Sequence, residues 1–295
     1  MPLINKVVLV SGAESFTDKD AINVLMDPSV PVNSEKAVEE HELLIDTFKS
    51  VGIKVVKVDP PHGCQDGIYV ANWALVKDHV AVLSRLPNKR KPEEAYAKRV
   101  LNDLGFKTIE LPQEIKAFSG QGDSIYCEGV LFCQSPYRTS VGAHEYLKKY
   151  LGYDTVLSLK TKPAREHWYS KPVINSLTGW PDSPTYDIDL AIAAIRPATE
   201  NNLPVIAYCP SVFEHSSRKI LKKLKGFDKI TVSKEECLSA YALNLVSTGE
   251  AAIINSGAPH LKAELIKRGL KVIELDLPEL RKGGGSIRCC SLTLA

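Results

Sequence analysis

The chain has 295 residues, 44% of them hydrophobic and 24% charged, which is typical of a globular protein long enough to bury a full core. Its net charge of +2 at pH 7 gives no electrostatic case for binding nucleic acid or an acidic membrane surface. No apolar run approaches the roughly 20 residues of a membrane span, and the first residues lack the pattern of a signal peptide. Seven cysteines without framework spacing indicate reduced thiols, so we expect a cytoplasmic protein.

One short pattern recurs five times along the chain: an amphipathic stretch, a glycine, and then an apolar strand. A glycine at each junction suits a helix that ends in the left-handed conformation. The predicted helices cover 34–51 (with Ser34 as the cap), 93–104, 142–151, 217–224 and 261–268. The glycines that follow them are Gly52, Gly105, Gly152, Gly226 and Gly269.

Pairs of short strands fill the intervals between these units, for example 68–76 with 80–84 and 124–127 with 130–133. Each unit therefore reads strand, strand, helix, strand, and one unit cannot bury its helix-covered face alone. Five units closing in a ring predict a single α/β domain over 1–295, a five-bladed α/β propeller. The alternative is a doubly wound parallel sheet, which also alternates helices and strands. Strand pairs without an intervening helix argue against it.

Two segments in the first half of the chain combine polar residues in unusual ways. In the first, Asp66 stands just before an apolar strand that Asn72 and Trp73 interrupt. In a ring these polar groups can point into a central channel, although a turn aspartate and a capped asparagine explain them equally well. The second, FSGQGD at 118–123, has the glycines of a phosphate loop. It lacks the Gly-Lys-Ser/Thr ending and a following helix, so a nucleotide site is weakly supported.

The third segment is GGGSIRCCSL, near the C-terminal end of the sequence. Three glycines let the backbone approach a ligand closely, and they deliver Cys289 at the start of a predicted last strand. A reactive thiolate there would need a positive charge or a base nearby, and a cysteine in such a place is, taken alone, more often a small buried hydrophobe. We expect Cys289, and not Cys290, to face the channel, because neighbouring strand residues point to opposite faces.

Together these segments resemble the guanidine-modifying (amidinotransferase, or pentein) superfamily, and most closely its dimethylarginine dimethylaminohydrolases. The resemblance runs along nearly the whole chain, and the superfamily's five-fold propeller agrees with the repeat. It rests on QDGIYVANWALV, SGQGD followed by Arg138-Thr139, YDIDLAIAAI, and the run from INSGAPHLKAEL through GGGSIRCCSL.

The resemblance implies roles for individual residues. It implies that Cys289 is the nucleophile and that Asp189 is the second acid of a strand that reads His-x-Asp in arginine deiminases. The substrate-binding residues it implies are Asp66, Asn72, Arg90, Ser119, Asp123 and Arg138, with Asp66 holding the guanidinium and the two arginines holding the α-carboxylate of the substrate.

The chemistry of the superfamily accounts for these residue types. A guanidinium is a planar cation with five N–H donors, which carboxylates bind through paired hydrogen bonds. A thiolate attacks its central carbon, an acid protonates the departing amine, and a base activates the incoming water or amine. In the superfamily a histidine, oriented by a glutamate, performs both proton transfers.

This chain departs from that pattern at three positions. Asp187 stands at the histidine position, Ser119 at the glutamate position, and Asn72 where an aspartate is usual, although an Asn-Trp pair resembles the succinylarginine dihydrolase branch. Either Asp187 has taken over proton transfer as a catalytic residue, or His167 or another loop histidine enters the site, or catalysis is lost. We expect neighbouring carboxylates to raise the pKa of Asp187 far enough for it to act as the general acid.

The leading hypothesis is a Cys-dependent hydrolase or amidinotransferase that acts on a small arginine-like guanidine compound through a covalent amidino-cysteine. It would need no metal or organic cofactor, since the seven histidines show no paired metal-ligand spacing, and it would be a monomer or homodimer. The alternative is a catalytically silent protein that keeps the pocket and binds a guanidine or amino-acid ligand. The fold alone does not decide between the two.

Overall fold

Fifteen strands form five separate three-stranded sheets in residues 4–167 and 169–295, the part of the chain that the computed structural model describes. We call these sheets blades 1 to 5. Blade 1 contains β1 (Val7–Ser11), β2 (Lys54–Val58) and β15 (Leu292–Thr293); blade 2, β3 (Ala74–Lys77), β4 (Val80–Leu83) and β5 (Lys107–Ile109); blade 3, β6 (Ser124–Cys127), β7 (Val130–Gln134) and β8 (Thr155–Leu159); blade 4, β9 (Ile192–Arg196), β10 (Val205–Tyr208) and β11 (Asp228–Thr231); blade 5, β12 (Val246–Ser247), β13 (Ala251–Asn255) and β14 (Lys271–Leu275).

Every blade has the same pairing. The middle strand runs antiparallel to the strand before it and parallel to the strand after it. A parallel neighbour requires a crossover connection, and a helix provides it in each blade. Blade 1 is completed by the end of the sequence, because β15 pairs antiparallel with β1 while β2 pairs parallel with it. The ring is closed in this way, and the predicted five-bladed α/β propeller is confirmed.

The crossover helices lie close to where the repeat predicts them. They are α1 (Ser34–Ser50), α2 (Lys91–Asp103), α3 (Ala143–Leu151), α4 (His215–Lys223) and α6 (Pro259–Lys267); the shorter α5 (Lys234–Ser239) and α7 (Pro278–Arg281) lie between blades. The five junction glycines all have positive φ, from 60° at Gly152 to 86° at Gly105. The N-cap of α1 is Asn33 rather than Ser34, since the Asn33 side chain accepts the hydrogen bond from the amide of Lys36.

The first strand of each blade (β3, β6, β9 and β12, and β15 for blade 1) is called here an inner strand. Inner strands of neighbouring blades contact one another, as β6 contacts β9 and β9 contacts β12. The middle strands are almost wholly buried between these inner strands and the helices. A short turn precedes each inner strand, so five turns meet at the same end of the central channel.

Two local predictions are wrong for the same reason. The strand predicted at 68–76 starts only at Ala74, because Val70–Asn72 forms a turn of 3₁₀ helix. Cys289 and Cys290 also lie in a turn before β15, not within a strand, so strand alternation does not separate them. In both cases the apolar residues of a buried turn resemble those of a buried strand.

None of the helices in the described ranges is both long and apolar enough to cross a membrane. All seven cysteines are buried and free of disulfides.

Candidate active site

The turns before the inner strands bring the candidate residues together. They contribute Asn72 before β3, Ser119 before β6, Asp187 and Asp189 before β9, Asn244 before β12 and Cys289 before β15. Residues far apart in sequence thus become neighbours because they occupy equivalent places in the repeat. A small cavity lies between these turns, and Asp66 and Arg138 line it from adjoining loops.

Cys289 is held in a tight turn, in which the amide of Cys290 donates to the carbonyl oxygen of Ser286 at 3.0 Å. The Cys289 thiol donates to Oδ2 of Asp189 at 3.2 Å and is 2% exposed. A Cβ atom at Gly285 would lie 3.0 Å from the Cys289 sulfur, and one at Gly283 would lie 2.2 Å from the Tyr69 hydroxyl oxygen. The glycines of the segment therefore allow the backbone to approach the thiol and its surroundings.

Asn244, which the sequence analysis missed, organises this turn. Its Oδ1 accepts from the backbone amides of Ser286, Arg288 and Cys289 at 3.0, 3.1 and 3.2 Å. Its Nδ2 donates to the Cys289 sulfur at 3.1 Å. The only sequence signal for this residue was its place before β12, which is equivalent to that of the other site residues.

Two carboxylates beside the thiol carry unsatisfied acceptors. Oδ1 of Asp187 and Oδ1 of Asp189 are buried and accept no hydrogen bond from the described residues. Burial, with Asp187 nearby, raises the pKa of Asp189 to about 8. Burial also raises the pKa of Asp187, although Arg138 opposes this. The pKa of the Cys289 thiol is raised well above its usual value by burial and then by these two acids. Burial therefore favours the protonated forms of these three groups.

The three positions that depart from the superfamily pattern touch one another. Asn72 Nδ2 donates to Oδ2 of Asp187 at 2.6 Å and to Oγ of Ser119 at 2.8 Å. An aspartate at position 72 has no N–H to offer Asp187, and a glutamate at 119 would add a negative charge. Asn72 thus joins Ser119 and Asp187 in one hydrogen-bonded network.

Arg90 lies in the site, but its donors are already occupied. It forms a buried ion pair with Glu93, with NH2 2.7 Å from Oε2, and its Nε bonds to Oε1 of the same residue at 2.8 Å. It also donates to Oδ1 of Asn72 at 2.7 Å and to the carbonyl oxygens of Asp66 and Tyr69. Burial would lower the pKa of Arg90, but Glu93 outweighs it and the pKa is raised. The implied contact of Arg90 with a substrate carboxylate stays a prediction; the visible contacts orient Asn72.

Arg138 forms fewer hydrogen bonds than Arg90. Its NH2 donates to the carbonyl oxygen of Ile22, and its Nε has no acceptor among the described residues. The guanidinium lies 5.1 Å from the ring centre of Tyr186 and 5.9 Å from that of Trp180. These rings favour a cation beside them and leave donors directed elsewhere.

The two remaining acids differ in access. Asp66 lines the cavity, accepts from Nε2 of Gln65 at 3.0 Å, and has its pKa raised to about 7 by burial, against the opposing effect of Arg90. Asp123 does not line it. Its carboxylate accepts from Oγ1 of Thr139 at 2.7 Å and from the amide of Ile188 at 3.1 Å. Asp123 therefore joins two of the converging turns.

The cavity between these groups is small, about 20 Å³, which is room for about one water molecule. Ile22 and Asn23 cover it from the segment between β1 and α1, and Asn23 Nδ2 donates to the carbonyl oxygen of Gly283 at 3.1 Å. No histidine of the described residues lines it. His167, one of the alternatives for proton transfer, is exposed and stacks on Tyr169 with ring centres 5.4 Å apart.

Comparison with known proteins finds relatives along the whole chain, although no protein-family model matches. The chain is 28% identical over 276 residues to an N(G),N(G)-dimethylarginine dimethylaminohydrolase of Mycobacterium tuberculosis, covering 93% of this chain and 81% of the relative. It is 29% identical over 289 residues to the bifunctional arginine dihydrolase/ornithine cyclodeaminase ArgZ of Synechocystis. That match covers 97% of this chain but only 37% of the longer relative.

Solved structures of such proteins are also similar to this chain. The N-terminal domain of the cyanobacterial arginine dihydrolase ArgZ, bound to its substrate, superposes with a TM-score of 0.83 at 25% identity, covering 98% of both chains. The same domain has also been solved covalently bound to a reaction intermediate, with the same TM-score. A dimethylarginine dimethylaminohydrolase adduct, 16% identical with a TM-score of 0.69, shares the fold. The resemblance predicted from the sequence is confirmed: this protein is similar along nearly its whole length to a dimethylarginine dimethylaminohydrolase and to cyanobacterial arginine dihydrolases.

Proposed function

We propose that this protein hydrolyses a small arginine-like guanidine compound through a covalent amidino intermediate on Cys289. The observation that carries the proposal is the pair of unsatisfied carboxylate oxygens on Asp187 and Asp189, buried beside the thiol. A buried acceptor without a partner is costly, and Asp187, which lines the cavity while Asp189 does not, can accept from the planar N–H donors of a guanidinium. Its named relatives are hydrolases and dihydrolases.

In the first half of the reaction the Cys289 thiol gives its proton to Asp189, whose Oδ2 it already contacts at 3.2 Å. The sulfur attacks the central guanidine carbon and a tetrahedral adduct forms. Asp187 then protonates the departing amine, which leaves as the carbon–nitrogen bond breaks. The nearby positive charge of the bound guanidinium lowers the pKa of the thiol, offsetting the burial that raises it.

In the second half a water molecule attacks the amidino carbon, Asp187 accepts its proton, and the thiol leaves and recovers its own. The product carries a carbonyl oxygen where the amine was. The relatives named as a dimethylaminohydrolase and an arginine dihydrolase favour hydrolysis over transfer of the amidino group to a second amine.

Arg138 is the residue we assign to an α-carboxylate on the substrate, because its Nε has no acceptor within the described residues. Arg90 we assign to positioning: its bond to Asn72 Oδ1 directs the amide N–H of that side chain at Asp187. Asp66 holds the far edge of the guanidinium.

The second candidate function, a silent binding protein, is favoured by the pKa of the Cys289 thiol, which burial raises well above its usual value. Asp187→Asn separates the two. If Asp187 is the acid, turnover or adduct formation at Cys289 should fall about 10²-fold or more, with ligand affinity largely kept. Ser119→Ala is the matched control, since it touches the same network without holding the transferred proton, and should change turnover only a few-fold. If the wild type shows neither adduct nor turnover with any guanidine, the binding-protein function replaces this proposal.

A further inference from the structure

A second, larger cavity of about 250 Å³ lies along the inner strands. It shares no lining residue with the first cavity, although Gln121, Leu243 and Arg288 of the turns before those strands also line it. Its walls are mostly apolar and come from all five blades. They include Leu75, Ile125, Ile192, Ala194, Leu243 and Leu245.

Two cationic side chains, Lys77 and Arg288, line this cavity, and Lys77 is half-buried, with its Nζ donating to the carbonyl oxygen of Leu151 at 2.8 Å. Arg288, the residue directly before Cys289, is the more buried cation. It is 9% exposed. Its NH1 donates to Oγ1 of Thr293 and its NH2 to Oε1 of Gln121, each at 2.8 Å. Both acceptors are neutral, Nε donates to no atom within the described ranges, and no carboxylate there forms a salt bridge with Arg288. A buried guanidinium without an anionic partner is costly unless something compensates its charge.

We propose that this cavity binds a small carboxylic acid with an apolar chain or ring, its carboxylate on Arg288 and its apolar part against the inner strands. A carboxylate is the planar acceptor that matches a guanidinium, and the apolar walls favour a hydrocarbon over a bare inorganic anion. The volume lies below the range of drug-sized sites, so the ligand has roughly six to ten non-hydrogen atoms.

The site communicates with the nucleophile through Arg288. The backbone amide of Arg288 shares its acceptor, Oδ1 of Asn244, with the amide of Cys289. The Arg288 charge also acts on Asp189 and on the Cys289 thiol. An anion on Arg288 offsets that charge, so the thiolate form of Cys289 becomes less favourable and its reactivity falls. Coupling of this kind is reciprocal.

Calorimetric titration with hexanoate tests the binding, independently of turnover and so of the proposed function. The wild type should bind hexanoate, and Arg288→Met should bind it ten-fold or more weakly. Hexanol, with the same chain and no charge, should also bind ten-fold or more weakly to the wild type. Ala194→Leu, which enlarges a half-buried side chain of the wall, should block binding while leaving Arg288 in place.

The active site also contains an arginine that could take a carboxylate, and Arg138→Met excludes it: hexanoate affinity should be unchanged in that variant. The proposal is overturned if the wild type does not bind hexanoate at millimolar concentration. It is also overturned if Arg288→Met binds as well as the wild type, or if Arg138→Met is the variant that loses binding.

The coupling is tested by the rate at which iodoacetamide modifies Cys289. Saturating hexanoate should slow this rate several-fold in the wild type and leave it unchanged in Ala194→Leu. An unchanged rate in the wild type would show that the two cavities are independent.

Discussion

The two cavities are built from the same five-fold repeat and carry opposite chemistry. At the candidate active site the turns before the inner strands place carboxylates, amides and a thiol within hydrogen-bonding distance of one another. In the second cavity the inner strands present mostly apolar side chains, with Arg288 and Lys77 as the cations. The repeat therefore determines where side chains meet, and the residues of five short turns determine the chemistry there.

Three buried arginines differ in the groups that their guanidiniums bind. Arg90 is bound to a carboxylate, Arg138 to a carbonyl oxygen beside two aromatic rings, and Arg288 to two neutral oxygens. From these partners we expect a structural, a ligand-binding and an anion-binding role, respectively.

The largest expected effect is that of Arg90→Met. It would leave the buried Glu93 carboxylate without its partner, and removing one member of a buried ion pair costs about 3–5 kcal/mol. The free energy of unfolding, measured in urea, should fall by that amount. Arg138→Met is the matched control and should lower it by less than about 1 kcal/mol, since no carboxylate depends on Arg138 for a salt bridge within the described residues. Equal losses would mean that both arginines are structural.

The next effect concerns the turn that carries Cys289. Asn244→Ala removes the acceptor of three backbone amides, and a buried donor left without a partner costs about 1–3 kcal/mol. We expect a loss of unfolding free energy of at least that size, and a changed alkylation rate at Cys289 because the Nδ2 donor to its sulfur is lost. Stability and alkylation both unchanged would show that the turn holds its shape without this side chain.

Arg138→Met should lower the affinity for an arginine-like ligand about ten-fold, since a charge-assisted hydrogen bond typically contributes about 1.5–3 kcal/mol. A guanidine without a carboxylate should bind about equally to both proteins. Binding of both ligands, measured by calorimetry, checks this difference. A similar loss for the two ligand types would contradict the assignment of Arg138 to the carboxylate.

The smallest expected effect is the release of protons when a guanidinium binds. Asp66 and Asp189 have pKa values raised to about 7 and about 8, so both are partly protonated near neutral pH. A bound guanidinium favours their ionised forms, and binding should release about one proton per ligand at pH 7. Calorimetry in buffers of different ionisation enthalpy measures this number. Proton uptake, or none released, would contradict it.

The raised pKa values of Asp66 and Asp189 also determine how the free energy of unfolding changes with pH. The folded protein keeps these protons where the unfolded chain has lost them, so this contribution to stability is complete below about pH 4. It should be lost as the pH rises through 7 and 8.

Much of the fold could be predicted because the repeat is visible in the sequence: a glycine follows each of the five crossover helices, and all five glycines have positive φ. The candidate site residues could be predicted from the resemblance to a known family. Their hydrogen-bond and ion-pair partners could not be predicted, because contacts such as Arg90 with Glu93 and Asn244 with Cys289 depend on how the turns meet in space. The turn at Cys289 was predicted as a strand because a buried turn and a buried strand have the same apolar composition.

The central claim is that Cys289 forms a covalent amidino adduct. Intact-protein mass spectrometry after incubation with a panel of guanidines, with and without an α-carboxylate, tests it most directly. We predict an added mass equal to the amidino fragment on the wild type, mapped to the peptide containing Cys289, and no such mass on Cys289→Ala. A wild type that binds a guanidine tightly, yet shows neither adduct nor turnover with any member of the panel, would contradict the claim.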